Sequence, residues 1–225
     1  MLNAGMTDII EAARKDGWVL EPDAFRLLQS AGVPVPRFAW GRSRPEAFAA
    51  AETIGYPVVA KVVSPQILHK SEVQGVAPGI PNAERLAEIY DRFSRLPGFE
   101  GMVVAEMLSG HELILGAKND FQFGPVILLG IGGTAVEIYK DTVTRMAPLK
   151  ARDVQAMLGC LRGHRLLTGH RGVAGVNVPK LTEMMLRFAD LVMALGDRID
   201  SIDLNPVFCS PERCMVADAR IILAR

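Results

Sequence analysis

Apolar positions recur at helical spacing along Pro22-Asp23-Ala24-Phe25-Arg26-Leu27-Leu28-Gln29-Ser30-Ala31-Gly32, with proline at the front and glycine at the back, which predicts a helix over 22–32. Ser43 and Pro45 open a second, alanine-rich helix that Gly55 stops. Pro57 then leads into Val58-Val59-Ala60-Lys61-Val62-Val63, a β-branched run of strand length, followed by a polar loop and a further strand. Asn82 caps a helix reaching about Phe93, and the segments 101–107 and 112–118 read as consecutive strands joined by a Ser109-Gly110 turn. Val126-Ile127-Leu128-Leu129 is a fully apolar strand that ends at Gly130-Ile131-Gly132-Gly133. Helices are expected over 151–161 and 179–195, one more at the N-terminus, and closing strands over 201–208 and 215–223. There is no internal repeat and no low-complexity linker. The expected fold is α/β (α+β), one domain over 1–225 with two sub-lobes packed together. The smaller would cover about 20–105, and the larger 106–225 plus the N-terminal helix.

Bulk properties narrow the partners. Lys and Arg number 25 against 25 Asp and Glu, with no basic run, which argues against a sequence-blind nucleic-acid binder. No apolar stretch approaches the roughly 20 residues of a membrane span, and the N-terminus lacks a charged segment followed by an apolar block, so a cytoplasmic protein is expected. Cys160, Cys209 and Cys214 are odd in number and lack C-x-x-C spacing, which suggests free thiols over a disulfide framework or a zinc site.

Chemistry concentrates in a few places. The loop Ile67-Leu68-His69-Lys70-Ser71-Glu72-Val73-Gln74-Gly75-Val76 joins an imidazole, able to act as nucleophile, base or ligand, to Lys70, Ser71 and a run of backbone N–H groups ending at Gly75. A solvated turn with a chance histidine is the plain alternative. Lys61 is a cation amid an apolar strand, so it needs a partner, either a nucleotide phosphate or a neighbouring carboxylate. Strand alternation puts Asp203 and Asn205 on one face, and a return through Ser210-Pro211-Glu212 can bring Asp218 beside them. The three would form an oxygen set suited to magnesium, or they are ordinary strand-end polar residues. Glu106, Met107 and Leu108 can offer backbone groups to an adenine edge and Glu112 a carboxylate to a ribose, although Glu112 also reads as a solvent-facing strand residue.

Two tempting motifs fail on context. His111-Glu112 lacks the second histidine of a metalloprotease helix, since Leu115 stands there. Gly130-Ile131-Gly132-Gly133-Thr134-Ala135 matches a dinucleotide fingerprint, with Asp153 suitably placed beyond. That fingerprint needs a helix at its glycines, however, whereas Val136, Ile138, Thr142, Val143 and Thr144 favour extended chain and Pro148 would soon end a helix.

Taken together, Lys61, the His69-Lys70-Ser71 loop, Glu112, Gly116-Ala117-Lys118-Asn119-Asp120-Phe121-Gln122-Phe123-Gly124-Pro125, Gly130-Ile131-Gly132-Gly133, and Asp203-Leu204-Asn205-Pro206 with Asp218 resemble one family. It is the ATP-grasp beta subunit of ADP-forming acyl-CoA (acetyl-CoA) synthetases, in the succinyl-CoA synthetase superfamily, and the likeness runs from about Leu20 to Leu223. The resemblance implies an ATP-grasp fold with the nucleotide between two lobes, ATP/ADP and Mg2+ as cofactors, and the reaction acid + CoA + ATP = acyl-CoA + ADP + phosphate. It further implies a CoA-binding alpha partner, in a heterotetramer or as fused domains.

By the same likeness, His69 carries the phosphoryl group to and from ADP. Lys61, Lys70, Ser71, Gly75 and Arg145 would surround phosphates, Glu106, Met107 and Leu108 would border adenine, and Glu112 would take the ribose. Asn205 and Asp218 would hold magnesium, with Asp203 in support. Glu72 and Gln74 depart from the aspartate and glycine usual in the family loop, and Ala77-Pro78-Gly79-Ile80-Pro81 is richer in proline than expected. A non-catalytic regulatory ATP-grasp module and an ATP-grasp ligase acting through a direct acyl phosphate are the alternative readings.

Overall fold

A computed structural model describes residues 2–133, 141–169, 172 and 174–224. The chain divides into two compact units, one of Met1–Val19, Asp23–Val35 and Ser109–Arg225, the other of Leu20–Pro22 and Pro36–Leu108.

The first unit is built on a seven-stranded antiparallel sheet. Its strands are β1 (Trp18–Val19), β6 (His111–Asp120), β7 (Gly124–Ile131), β8 (Thr142–Met146), β9 (Ile199–Cys209), β10 (Cys214–Val216) and β11 (Ala219–Leu223). The order is β1-β11-β9-β6-β7-β8, with β10 on β9. Helices α1 (Ala4–Ala13), α5 (Ala151–Cys160), α6 (His164–Thr168) and α7 (Val178–Leu195) accompany it. Asn3 caps α1 by accepting from the Met6 N–H at 2.9 Å, and Asn177 caps α7 by accepting from Lys180 at 3.0 Å. Leu181, Met184, Met185, Phe188, Ala189 and Val192 give α7 a buried face at helical spacing.

The second unit carries the sheet β2-β5-β3-β4, from β2 (Phe38–Gly41), β3 (Val58–Val62), β4 (Val76–Ile80) and β5 (Met102–Glu106), all paired antiparallel. Its core joins Ala47 and Ala51 of α3 (Arg44–Ile54) and Leu86, Ile89 and Phe93 of α4 (Ala83–Phe93) to Val58, Ala60, Val62, Met102 and Val104 of the sheet. Ser43 and Asn82 cap these two helices, and Gly55 ends α3 at φ 91°. Helix α2 (Glu21–Ser30) starts one residue before the expected Pro22, and its first two residues are counted with the second unit.

Three sequence expectations change. The strand read over 215–223 is two strands, β10 and β11, which run along the same edge of β9 in one register and are parted at Ala217-Asp218, opposite Pro206, which has no N–H to give to the ladder. The apolar strand at 126–129 extends to Gly124–Ile131, and β1 and β2 escape the pattern because each has only two to four residues. Extended chain at Thr142, Val143 and Thr144 is found as β8, whereas Ala135 to Lys140 lie outside the described residues. β7 pairs antiparallel with both β6 and β8, so no parallel β-α-β unit surrounds Gly130-Ile131-Gly132-Gly133 and the dinucleotide fingerprint is excluded. No described helix is long and apolar enough to cross a membrane.

Candidate functional site

In the second unit the functional side chains hang from β3. Lys61 is 5% exposed, and its ammonium lies 2.5 Å from Glu21 Oε1. Glu21 Oε2 lies 3.0 Å from Lys70 Nζ, so one buried carboxylate bridges both candidate phosphate-binding lysines. The partner that Lys61 required is thus a carboxylate. Composition gave no sign of Glu21, which stands at a helix start where an acid already has a generic reason to be. The usable signal was charge neutrality around a lysine in an apolar strand.

After β3 the chain turns through 63–75. Val63 N–H donates to Gly101 O at 2.9 Å, and Val62 N–H to Gly75 O at 2.8 Å, which ties the loop back to its own strand. His69, Ser71 and Glu72 are exposed, while Lys70 is half-buried. The N–H groups of Glu72, Gln74 and Gly75 donate to the carbonyls of His69, Ser71 and Lys70 at 3.2, 3.2 and 2.7 Å. These backbone groups, which the sequence offered to a phosphoryl group, therefore shape the loop. Gly75 is needed for space, since a Cβ there would sit 2.5 Å from Val62 Cγ1. Gln74, at a family departure, takes φ 54°.

At the end of β5, Glu106 accepts from the Arg37 N–H at 3.1 Å and pairs with Arg37 Nε at 3.6 Å. Met107 is exposed, and its sulfur accepts from the Gly79 N–H at 3.3 Å, while Leu108 is half-buried.

The first unit holds the remaining candidates. Glu112, half-buried on β6, has its carbonyl 2.6 Å from the Gly132 N–H. A Cβ on Gly132 would lie 2.8 Å from the Glu112 carbonyl carbon, and one on Gly133 3.7 Å from Glu112 Oε2. The glycines thus let backbone approach backbone beside a carboxylate. Gly132→Ala is expected to cost about 1–3 kcal/mol of stability by overpacking. Urea denaturation checks this, and an unchanged midpoint would show that the approach is not tight. Arg145 is exposed on β8, level with Ile127 of β7.

On β9, Asp203 and Asn205 share the face opposite Ile202 and Leu204. Asp203 Oδ2 accepts from Arg220 of β11, its register partner, at 2.9 Å. Asn205 N–H donates to Asp218 O at 3.2 Å, so the return strand sets these two residues side by side. Asn205 is exposed and Asp218 half-buried. Among the described residues no three His, Cys, Asp or Glu side chains cluster as a metal-holding group. A carboxamide and a carboxylate with room for water nonetheless fit magnesium, which prefers a few hard oxygen donors and retains waters.

Two antiparallel sheets, one carrying a lysine-anchored polar loop and the other an acid–amide pair set side by side on β9 and the segment between β10 and β11, define the class: residues 11–223 match the model of the ATP-grasp domain. The chain belongs to that family, and within it to the beta-subunit type of ADP-forming acetate–CoA ligases. It is 37% identical to the Acetate–CoA ligase [ADP-forming] I subunit beta of Pyrococcus furiosus, across 96% of this chain and 97% of that one. It is 34% identical to the 4-hydroxybutyrate–CoA ligase [ADP-forming] of Nitrosopumilus maritimus, covering 90% of this chain but only 30% of that longer one. A structure of acetyl-coenzyme A synthetase 1 from Candidatus Korarchaeum cryptofilum superposes with TM-score 0.85 at 33% identity, over 97% of this chain and 99% of that one. That protein was in complex with coenzyme A and Mg-AMPPCP, its phosphohistidine segment pointing towards the nucleotide binding site.

Proposed function

We propose that this chain is the nucleotide-handling subunit of a cytoplasmic ADP-forming acyl-CoA synthetase, passing a phosphoryl group between His69 and ADP/ATP. A CoA-binding partner, in a heterotetramer or fused, would complete the reaction acid + CoA + ATP = acyl-CoA + ADP + phosphate. The observation that carries this reading is an exposed imidazole on a loop strapped to the strand that bears Lys61, with Lys70 beside it on the same buried carboxylate.

Phosphoryl transfer asks mainly for positioning and for positive charge around the equatorial oxygens. Lys61, Lys70 and Arg145 supply that charge, Ser71 a hydroxyl, and Gly75 the tight return of the loop. Glu106, Met107 and Leu108 border adenine, and Glu112 takes the ribose hydroxyls. Asn205 and Asp218 hold magnesium, which would neutralise charge on the nucleotide phosphates, while Asp203 stands behind them, oriented by Arg220. A neutral imidazole nitrogen attacks and leaves readily, so the transfer divides into two partial reactions.

The experiment follows from that division. With magnesium, ATP and labelled ADP, this chain should exchange label between the two nucleotides through the phosphohistidine, with no acid substrate present. Absence of exchange, even with the partner present, would sink the proposal. Asp218→Asn should raise the magnesium concentration giving half-maximal exchange by at least roughly tenfold. An unchanged magnesium titration would remove Asp218 from the metal site.

A further inference from the structure

Cys209 and Cys214 are free thiols in the first unit, both buried, that face each other across the β9–β10 hairpin. Ser210 N–H donates to Arg213 O at 2.8 Å, which makes 210/213 a hydrogen-bonded pair and the next pair, Cys209/Cys214, a non-bonded one. Such pairs bring Cα atoms to about 4.5 Å, within the window that a disulfide accepts. The turn is held by Ser210, whose Oγ accepts from the N–H groups of Glu212 and Arg213 at 3.1 and 3.2 Å.

Cys214 also forms part of the wall of a cleft of about 310 Å³, with Lys180, Arg187 and Arg213 against the one acid Glu183. Glu183 Oε1 accepts from Arg187 at 2.8 Å, and Lys180 donates to the Glu212 carbonyl at 2.5 Å, leaving a cationic excess along the cleft that Cys214 lines. Hydrogen bonding from Cys209 holds the Cys214 thiol below its ordinary range despite burial, and the Lys180 charge acts in the same direction. The same bond, with burial, pushes Cys209 up, so the first proton leaves from Cys214.

We propose that Cys214, with Cys209 as its resolving partner, is a thiol–disulfide exchange site for small anionic disulfides. The Cys214 thiolate attacks one sulfur of a disulfide RSSR, whose S–S bond breaks and releases RS⁻ while a mixed disulfide forms. Cys209 gives its proton to the released thiolate and attacks Cys214 Sγ, releasing the second RS⁻, which takes up a proton from solvent. Two protein thiols are oxidised and one small disulfide is reduced to two thiols. The site owes nothing to the proposed phosphoryl transfer, so each stands or falls separately.

The test uses the native full-length chain, incubated with oxidised glutathione, coenzyme A disulfide or the cationic disulfide cystamine, then alkylated and mapped by mass spectrometry. Wild-type chain should gain an internal Cys209–Cys214 bond that dithiothreitol reverses, and Cys209→Ser should trap the mixed disulfide at Cys214. Both anionic reagents should outpace cystamine by roughly tenfold, because the cleft concentrates anions. The faster of the two tells whether carboxylates or phosphates are preferred. If Cys209 and Cys214 stay alkylatable while exposed Cys160 is modified, the exchange site is overturned, and cystamine reacting as fast would overturn the anionic class.

Discussion

His69→Asn is expected to take up no acid-labile phosphate from ATP and to lose acyl-CoA-forming turnover by at least about a thousandfold. Asparagine keeps similar size and hydrogen-bonding capacity but has no nitrogen lone pair able to accept a phosphoryl group. His69 is exposed and packs no core, so the change should alter stability by no more than about 0.5 kcal/mol. Nucleotide affinity should also hold, because the charges assigned to the phosphates sit on Lys61, Lys70 and Arg145. The decisive measurement pairs terminally labelled ATP with peptide mapping. Label persisting on the variant would remove His69 from the reaction, and label lost together with ATP binding would make it a binding residue.

The parts of this fold legible in the sequence are those whose causes are local. Ser43, Asn82 and Gly55 mark helix ends because caps act within one turn, and each stands where the chain begins or ends a helix. The β-branched run at 58–63 forms β3 for an equally local reason. What escaped depends on partners far along the chain. β1 is two residues that exist as a strand because Trp18 pairs with Ile222, and no periodicity in so short a run could announce it. In the candidate site, the misplaced lysine declared a need for countercharge, but Glu21 lies 40 residues away and looks like an ordinary first-turn acid. The loop bonds made by the N–H groups of Glu72, Gln74 and Gly75 lie beyond the sequence because composition shows how many donors exist, not which carbonyls they reach. For Gly132 the sequence shows a glycine-rich strand end, and it is the structure that shows its close approach to Glu112.

Glu21→Gln is expected to destabilise the protein by about 3–5 kcal/mol, because it takes from a buried ammonium the carboxylate charge 2.5 Å away. Glu21 is 3% exposed and Lys61 5%, so water cannot make good the loss as it would for a surface pair. The amide can still accept a hydrogen bond through its oxygen, which isolates the charge as the quantity removed. If the two lysines meet phosphates, an added anion should replace part of what the carboxylate supplied. ATP or inorganic phosphate should therefore raise the melting temperature of the variant more than that of the wild type. Lys61→Met in the same chain should recover most of the lost stability, since it removes the buried charge that Glu21 had offset. Equal shifts with phosphate in both proteins would mean that no anion reaches these ammoniums. Glu21 would then be a structural counter-ion alone, and the phosphate roles of Lys61 and Lys70 would lose their support.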